Sequence, residues 1–209
     1  MGKSVIGSGL LYANTIKASV NALLGEHDLD IQELHAGYPF DSVTYRSVVG
    51  GPLLLWLIAL KDFSALEDVG AAGKANKAVP AGAAAAVESY SGSVLRYLPQ
   101  ASHPAANPQD PPYLLYVQAK LHPVAGLNGG RELLQELAGH HALGLVDYVY
   151  ESVAGGPTLD WFVSIENLGR LENLGDPVSA IKAKGGDKLL KSIAPHIAKI
   201  SSTLLRKEA

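Results

Sequence analysis

The feature that most constrains this chain is its likeness to itself. Tyr45-Arg46-Ser47-Val48-Val49-Gly50-Gly51-Pro52-Leu53-Leu54-Leu55-Trp56 lies over Tyr150-Glu151-Ser152-Val153-Ala154-Gly155-Gly156-Pro157-Thr158-Leu159-Asp160-Trp161 at a constant offset of 105 residues. Continued through Leu66-Glu67 over Leu171-Glu172 and Lys77-Ala78 over Lys182-Ala183, the register gives fourteen identities in thirty-four pairs, 45–78 against 150–183. Unrelated segments would share about two or three, so the match reports a duplicated architecture. Weaker echoes follow at offsets of 103 (Gln32-Glu33-Leu34 with Gln135-Glu136-Leu137) and 110 (Ser91 to Arg96 with Ser201 to Arg206). Pro99 to Pro112, with five prolines in fourteen residues, excludes helix and inner strand. The expected organisation is a first repeat at 1–98, a Pro-rich linker at 99–112 and a second repeat at 113–209.

Each copy shows the same order of elements. A β-rich run (Leu10–Ala18; Tyr113–Leu121) precedes a helical spacing (about Leu23–Ala36; Gly130–Ala142). Two strands then meet at Gly-Gly-Pro, where diglycine supplies positive φ and proline fixes entry to the next strand. Val43–Val49 with Leu53–Leu60, and Val146–Ala154 with Thr158–Ile165, therefore read as hairpins. A longer helical stretch (about Ala71–Tyr90; Asp176–Ile200, the second with Asp176 as N-cap and Pro177 following) and a short strand (Val94–Leu98; Thr203–Arg206) close each copy. The order β-α-β-β-α-β predicts an α+β fold of two tandem ferredoxin-like repeats. Leu53, Leu55, Leu57 and Leu54, Trp56, Ile58, Leu60 make both faces of one strand apolar, so the two sheets are expected to face each other across an intrachain barrel.

The hairpin Tyr45 to Pro52, with Ile58-Ala59-Leu60-Lys61-Asp62-Phe63-Ser64-Ala65-Leu66-Glu67 after it, resembles the corresponding segment of NIPSNAP-like proteins in the dimeric α+β barrel superfamily. Ala86 to Pro99 resembles the junction between helix and last strand in the same tandem proteins. The resemblance implies a fused pseudo-dimer with two sheets facing across a barrel. It brings no single activity, because relatives include cofactor-free oxygenases, haem enzymes and proteins without known chemistry.

Composition removes several function classes. Seventeen basic against twenty acidic side chains leave no positive field to attract nucleic acid. The longest charge-free apolar run, Leu53 to Leu60, falls far short of the ~18 residues of a membrane span. The absence of cysteine excludes disulfides, thiolate metal sites and a Cys nucleophile. Met1 to Ile6 lacks the pattern of a signal peptide, which makes the cytoplasm the default compartment. Gly2-Lys3-Ser4 and Gly7-Ser8-Gly9 are fragments of phosphate-binding motifs without their context, and neither a nucleophile elbow nor a zinc helix occurs.

Candidate chemistry therefore rests on the mixed strand faces. Asp147, Val149, Glu151 and Val153 alternate along one strand and Ser42, Thr44, Arg46 and Val48 along its counterpart. Arg46 and Glu151 are equivalent positions of opposite charge, expected to approach across the pseudo-twofold, with Asp160 joining them inside the barrel. Glu151, Asp160 and His122 are the candidate bases, with Arg46, Tyr45 and Tyr150 as ligand-binding residues; hydrated surface charges are the bland alternative. Glu136 with His140 could hold two corners of a metal site, but as a helix end they more simply oppose the helix dipole, and no metal or cofactor is expected. Lysines near the C-terminus, from Lys182 to Lys207, read as the wet side of a helix. Trp56 and Trp161 read as core anchors. The expected function is binding of a small molecule in a chamber between the sheets, with oligomerisation through apolar surfaces. The alternatives are a cofactor-independent oxygenase or isomerase and a structural module. An open, polar-lined chamber of a few hundred Å³ favours the first two and a packed one the third.

Overall fold

A computed structural model of the chain describes residues 4–18, 39–48, 53–75, 87–123, 132, 135–136, 144–154, 156–173 and 186–208. Eight strands carry the fold: β1 (Leu10–Ala18), β2 (Ser42–Ser47), β3 (Leu53–Leu60), β4 (Val87–Tyr97), β5 (Tyr113–Leu121), β6 (Asp147–Ala154), β7 (Thr158–Ile165) and β8 (Ile197–Lys207). They close into one antiparallel barrel in the order β1-β3-β2-β8-β5-β7-β6-β4. Two short α-helices lie among the described residues, α1 (Ala65–Ala75) and α2 (Asp187–Ile193).

This corrects the expected fold class. The protein is a closed eight-stranded antiparallel barrel and not two tandem βαββαβ repeats with facing sheets. The physical reason lies in β4 and β8, eleven residues each where the sequence pattern suggested five and four. Ser89-Tyr90-Ser91-Gly92-Ser93 and Ser201-Ser202 look poor in strand propensity, yet they belong to the ladders of β4 with β1 and of β8 with β5. At their far ends β4 and β8 cross into the other half of the chain, pairing at Arg96↔Glu151 with β6 and at Arg46↔Arg206 with β2. Four free sheet edges thereby vanish by hydrogen bonding, and the sheets join side by side instead of stacking. Tyr90 and Ile200, expected at helix ends, lie in β4 and β8. The expected helices at Leu23–Ala36 and Asp176-Pro177 lie outside the described residues, as does most of Gly130–Ala142.

The hairpin expectations agree with the ladders. β2 pairs β3 from Ser42↔Ile58 to Arg46↔Leu54, and β6 pairs β7 from Asp147↔Val163 to Glu151↔Leu159. Gly156 takes φ +112°, the positive value inferred for the turn. The doubly apolar β3 is satisfied differently from expectation. Leu55 and Leu57 fill the barrel, while Ile58 and Leu60 pack outside with Ala65 and Val69 of α1, where half-buried Trp56 joins them. Trp161 holds the corresponding outer position beside Leu159 and Ile193 of α2.

One end of the barrel is packed solid. Val5 and Ile6 plug it against Tyr45, Tyr148 and Tyr150. Asp110 fixes the plug, its Oδ1 accepting from Ser4 Oγ and from the Val5 and Ile6 amides, each at 2.9 Å. Gly7, at φ +100°, turns the chain so that its amide donates to the Tyr150 hydroxyl at 2.9 Å. At the opposite end the described residues leave the interior unfilled.

Candidate functional site

Alternation along the barrel strands decides which side chains meet inside. On β5 the inward positions are Leu114, Tyr116 and Gln118; on β7 they are Asp160 and Phe162. Phe162 stacks on Tyr116 with ring centroids 5.2 Å apart and meets Tyr150 edge-on at 5.4 Å. This aromatic column is the floor of a cavity of about 220 Å³ lined by Ala13, Thr15, Leu53, Ser91, Ser93, Tyr116, Gln118, Asp160, Ser201 and Thr203. One wall, from Ala13 and Leu53, is apolar, while its counterpart wall carries Tyr116, Gln118 and Asp160.

Asp160 is 1% exposed and centres a hydrogen-bonded cluster. Its Oδ1 accepts from the Tyr116 hydroxyl at 2.5 Å and from Gln118 Nε2 at 2.9 Å, and its Oδ2 accepts from Thr158 Oγ1 at 2.8 Å. Gln118 Nε2 also donates to the Tyr116 oxygen at 2.9 Å. Burial pushes the Asp160 carboxyl above its ordinary value, and the bonds from Tyr116, Gln118 and Thr158 pull partly the other way. Burial likewise drives the Tyr116 phenol well up, reinforced by the adjacent carboxylate, so Tyr116 remains a proton donor at neutral pH. The cluster is a buried acid held in one orientation at a cavity wall, the arrangement that lets a carboxyl bind a ligand donor or move a proton.

The other candidate residues are dispersed. Tyr45 and Tyr150 are buried in the packed end with both phenols pushed up by burial. Tyr45 donates to the Pro111 carbonyl at 3.2 Å, and Tyr150 donates to the Ser8 carbonyl at 3.0 Å. Glu151 and Arg46 point outward and do not approach each other. Glu151 pairs with Arg96 across the β4–β6 junction, and Arg46 Nε lies 3.2 Å from Glu208. The expected juxtaposition fails because β6 neighbours β4 and β2 neighbours β8, on opposite sides of the barrel. His122 is exposed beyond the end of β5, its amide donating to the His196 carbonyl at 3.0 Å, and it does not line the cavity. Among the described residues no cluster of His, Asp and Glu could hold a metal; His140 and His141 lie outside them.

Sequence reasoning missed Tyr116, Gln118 and Thr158. The signal was available: Leu114-Tyr116-Gln118-Lys120 alternates as one face of β5 and grows more polar toward one end. A second hollow, a groove of about 470 Å³ outside β1, β3 and β4, runs along α1 between Trp56, Ile58, Leu66 and Val69. Among the described residues it holds no carboxylate or cation.

No family model matches the chain, and no curated protein does either. Solved structures do resemble it. An anthrone oxidase-like protein superposes with a TM-score of 0.70 at 15% identity over 99% of this chain and 94% of its own. A candidate monooxygenase from Fusobacterium nucleatum subsp. nucleatum gives 0.62 at 10% identity, covering 95% and 91%. A heme-binding protein from Thermus thermophilus gives 0.52 at 11% identity, with the same coverage of 95% and 91%. What the chain shares with these structures is the fold. At these identities the likeness carries the barrel and no activity.

Proposed function

We propose that the protein binds a small molecule inside the barrel, against the Asp160 cluster. The observation that supports this most is a charged side chain almost fully buried yet facing open space, where its counterpart in the other half, Leu55, is apolar. Burying a carboxyl costs stability unless something is gained, and here three neighbours hold it toward a cavity instead of sealing it. The volume of about 220 Å³ lies below the ~300 Å³ lower bound for drug-sized ligands, so the ligand is small. Its apolar side rests on Ala13 and Leu53, and a donor group meets Asp160.

A second reading, proton transfer on the bound molecule, is favoured by the raised pKa of Asp160. In that reading Asp160 is the base, Tyr116 the hydrogen-bond donor that steadies the resulting charge, and Glu151 and His122 have no part. The heme-binding neighbour adds a precedent for ligand binding on this fold, but the described lining residues include no histidine to ligate an iron. Likeness to NIPSNAP-like proteins, a cytoplasmic setting and assembly with further copies belong to the proposal and rest on the sequence alone.

Amide NMR during titration with a library of small polar fragments tests the reading. Binders should shift Thr15, Ser91, Ser93, Gln118, Ser201 and Thr203 in the wild type and lose affinity at least about tenfold in Asp160→Leu, which copies the apolar counterpart. Shifts confined to the outer groove, or unchanged affinity in Asp160→Leu, would overturn it.

A further inference from the structure

The mouth of the cavity carries a charge pattern that the proposed binding does not by itself explain. Gln118 and Ser201 pair across β5 and β8, and both line the cavity. Two residues nearer the mouth, the same ladder pairs Lys120 with Lys199. The register shifts only after Lys120, so alternation keeps both lysines on the cavity side of the sheet. Both are exposed. The other half shows how such a lysine is ordinarily neutralised. There Thr15 and Ser91 line the cavity, the next pair is Lys17↔Ser89, and Lys17 Nζ lies 2.8 Å from Glu88. Ala198 stands where Glu88 would be, and among the described residues Lys120 and Lys199 have no ion pair.

Like charges directly opposite on neighbouring strands repel and destabilise the ladder. A cationic rim over a low-dielectric cavity also draws anions inward. Asp160 is the register partner of Gln118 on the other side, so the lysine pair sits two residues above the buried acid, about 7 Å at ~3.4 Å per residue.

We propose that the ligand is a small hydroxy acid. Its carboxylate lies between Lys120 and Lys199 at the mouth, its hydroxyl donates to Asp160 on the cavity wall, and its body rests on Ala13 and Leu53. This assignment rests on the interior cavity being the binding site, and it adds the charge and the length of the ligand. The ~7 Å spacing keeps the acid group away from Asp160 while its counter-ions hold it.

Isothermal titration with 4-hydroxybenzoate and its neutral isostere 4-hydroxybenzamide separates the two claims. The wild type should bind the acid at least about tenfold more tightly than the amide, and added salt should erode the difference. The preference should disappear in the K120Q/K199Q double variant and survive in Lys207→Gln, a charge change at the opposite end of β8, where Lys207 pairs with Tyr45. Equal affinity for acid and amide in the wild type, or a preference that survives in the double variant, overturns the hydroxy-acid assignment and leaves the cavity reading standing. Failure of both compounds to bind, or binding unaffected by Asp160→Leu, overturns the cavity reading and this assignment together.

Discussion

Asp160 occupies the position at which the other half of the chain carries Leu55, and the difference has measurable consequences. Its carboxyl is raised from 3.8, so the native state holds its proton more tightly than the unfolded chain does. The stabilisation this provides is complete below 3.8 and is lost as pH rises through the raised value. Asp160→Asn, which cannot ionise, should therefore gain on the wild type in thermal stability as pH climbs from about 4 toward neutrality. A difference in Tm that stays flat over that range would contradict the buried, raised carboxyl. Tyr116→Phe keeps the stacking on Phe162 but removes the donor at 2.5 Å, and urea unfolding should register a loss of about 1–3 kcal/mol. Asp160 was legible in the sequence because strict alternation on β7 separates it from Leu159 and Trp161. Glu151 and Arg46 were misplaced because alternation gives two faces without saying which is inner. The ladder settles that: Asp160 pairs with Tyr150, so Tyr150 and not Glu151 shares its face.

At the level of elements, the strands were readable and their lateral partners were not. All eight were visible as β-rich runs, and both Gly-Gly-Pro hairpins paired as expected. The lengths of β4 and β8 were hidden because Ser and Gly there serve packing that no local pattern announces. A Cβ at Gly92 would lie 2.6 Å from the Tyr12 hydroxyl, so this glycine is required by a cross-strand tyrosine and does not mark a loop. The plug at the packed end was equally silent, since it depends on Asp110 reaching a segment more than a hundred residues earlier. Asp110→Ala removes the acceptor of three donors. It should cost about 1.5–3 kcal/mol in denaturant unfolding and speed hydrogen exchange at the Val5 and Ile6 amides. Unchanged exchange there would show that apolar packing alone retains the plug.

At the scale of the whole molecule, strand positions recur at regular offsets, and duplication is our proposal for their origin. β1 and β5 pair β3 and β7 with strand starts offset by 103 and 105, and the register shifts that follow Lys17 and Lys120 fall at the same offset of 103. β4 and β8 begin 110 residues apart, at Val87 and Ile197. Exposed apolar side chains obey the same spacings: Val48 with Val153, Phe63 with Leu168, Tyr90 with Ile200. Because one buried cluster joins Leu55 and Leu57 to Leu114 and Phe162, neither half can cover its interior alone. Residues 1–98 and 99–209 expressed separately should yield no folded monomer, and mixing should restore a cooperative unfolding transition. A half that folds alone as a monomer would contradict the single barrel.

The most direct measurement is a crystal structure of the wild type soaked with 4-hydroxybenzoate. The expected result is density within the barrel, in contact with Asp160 and flanked by Ser93 and Thr203. Density confined to the groove beside Trp56, or an interior filled by side chains with no room for the compound, would contradict the account.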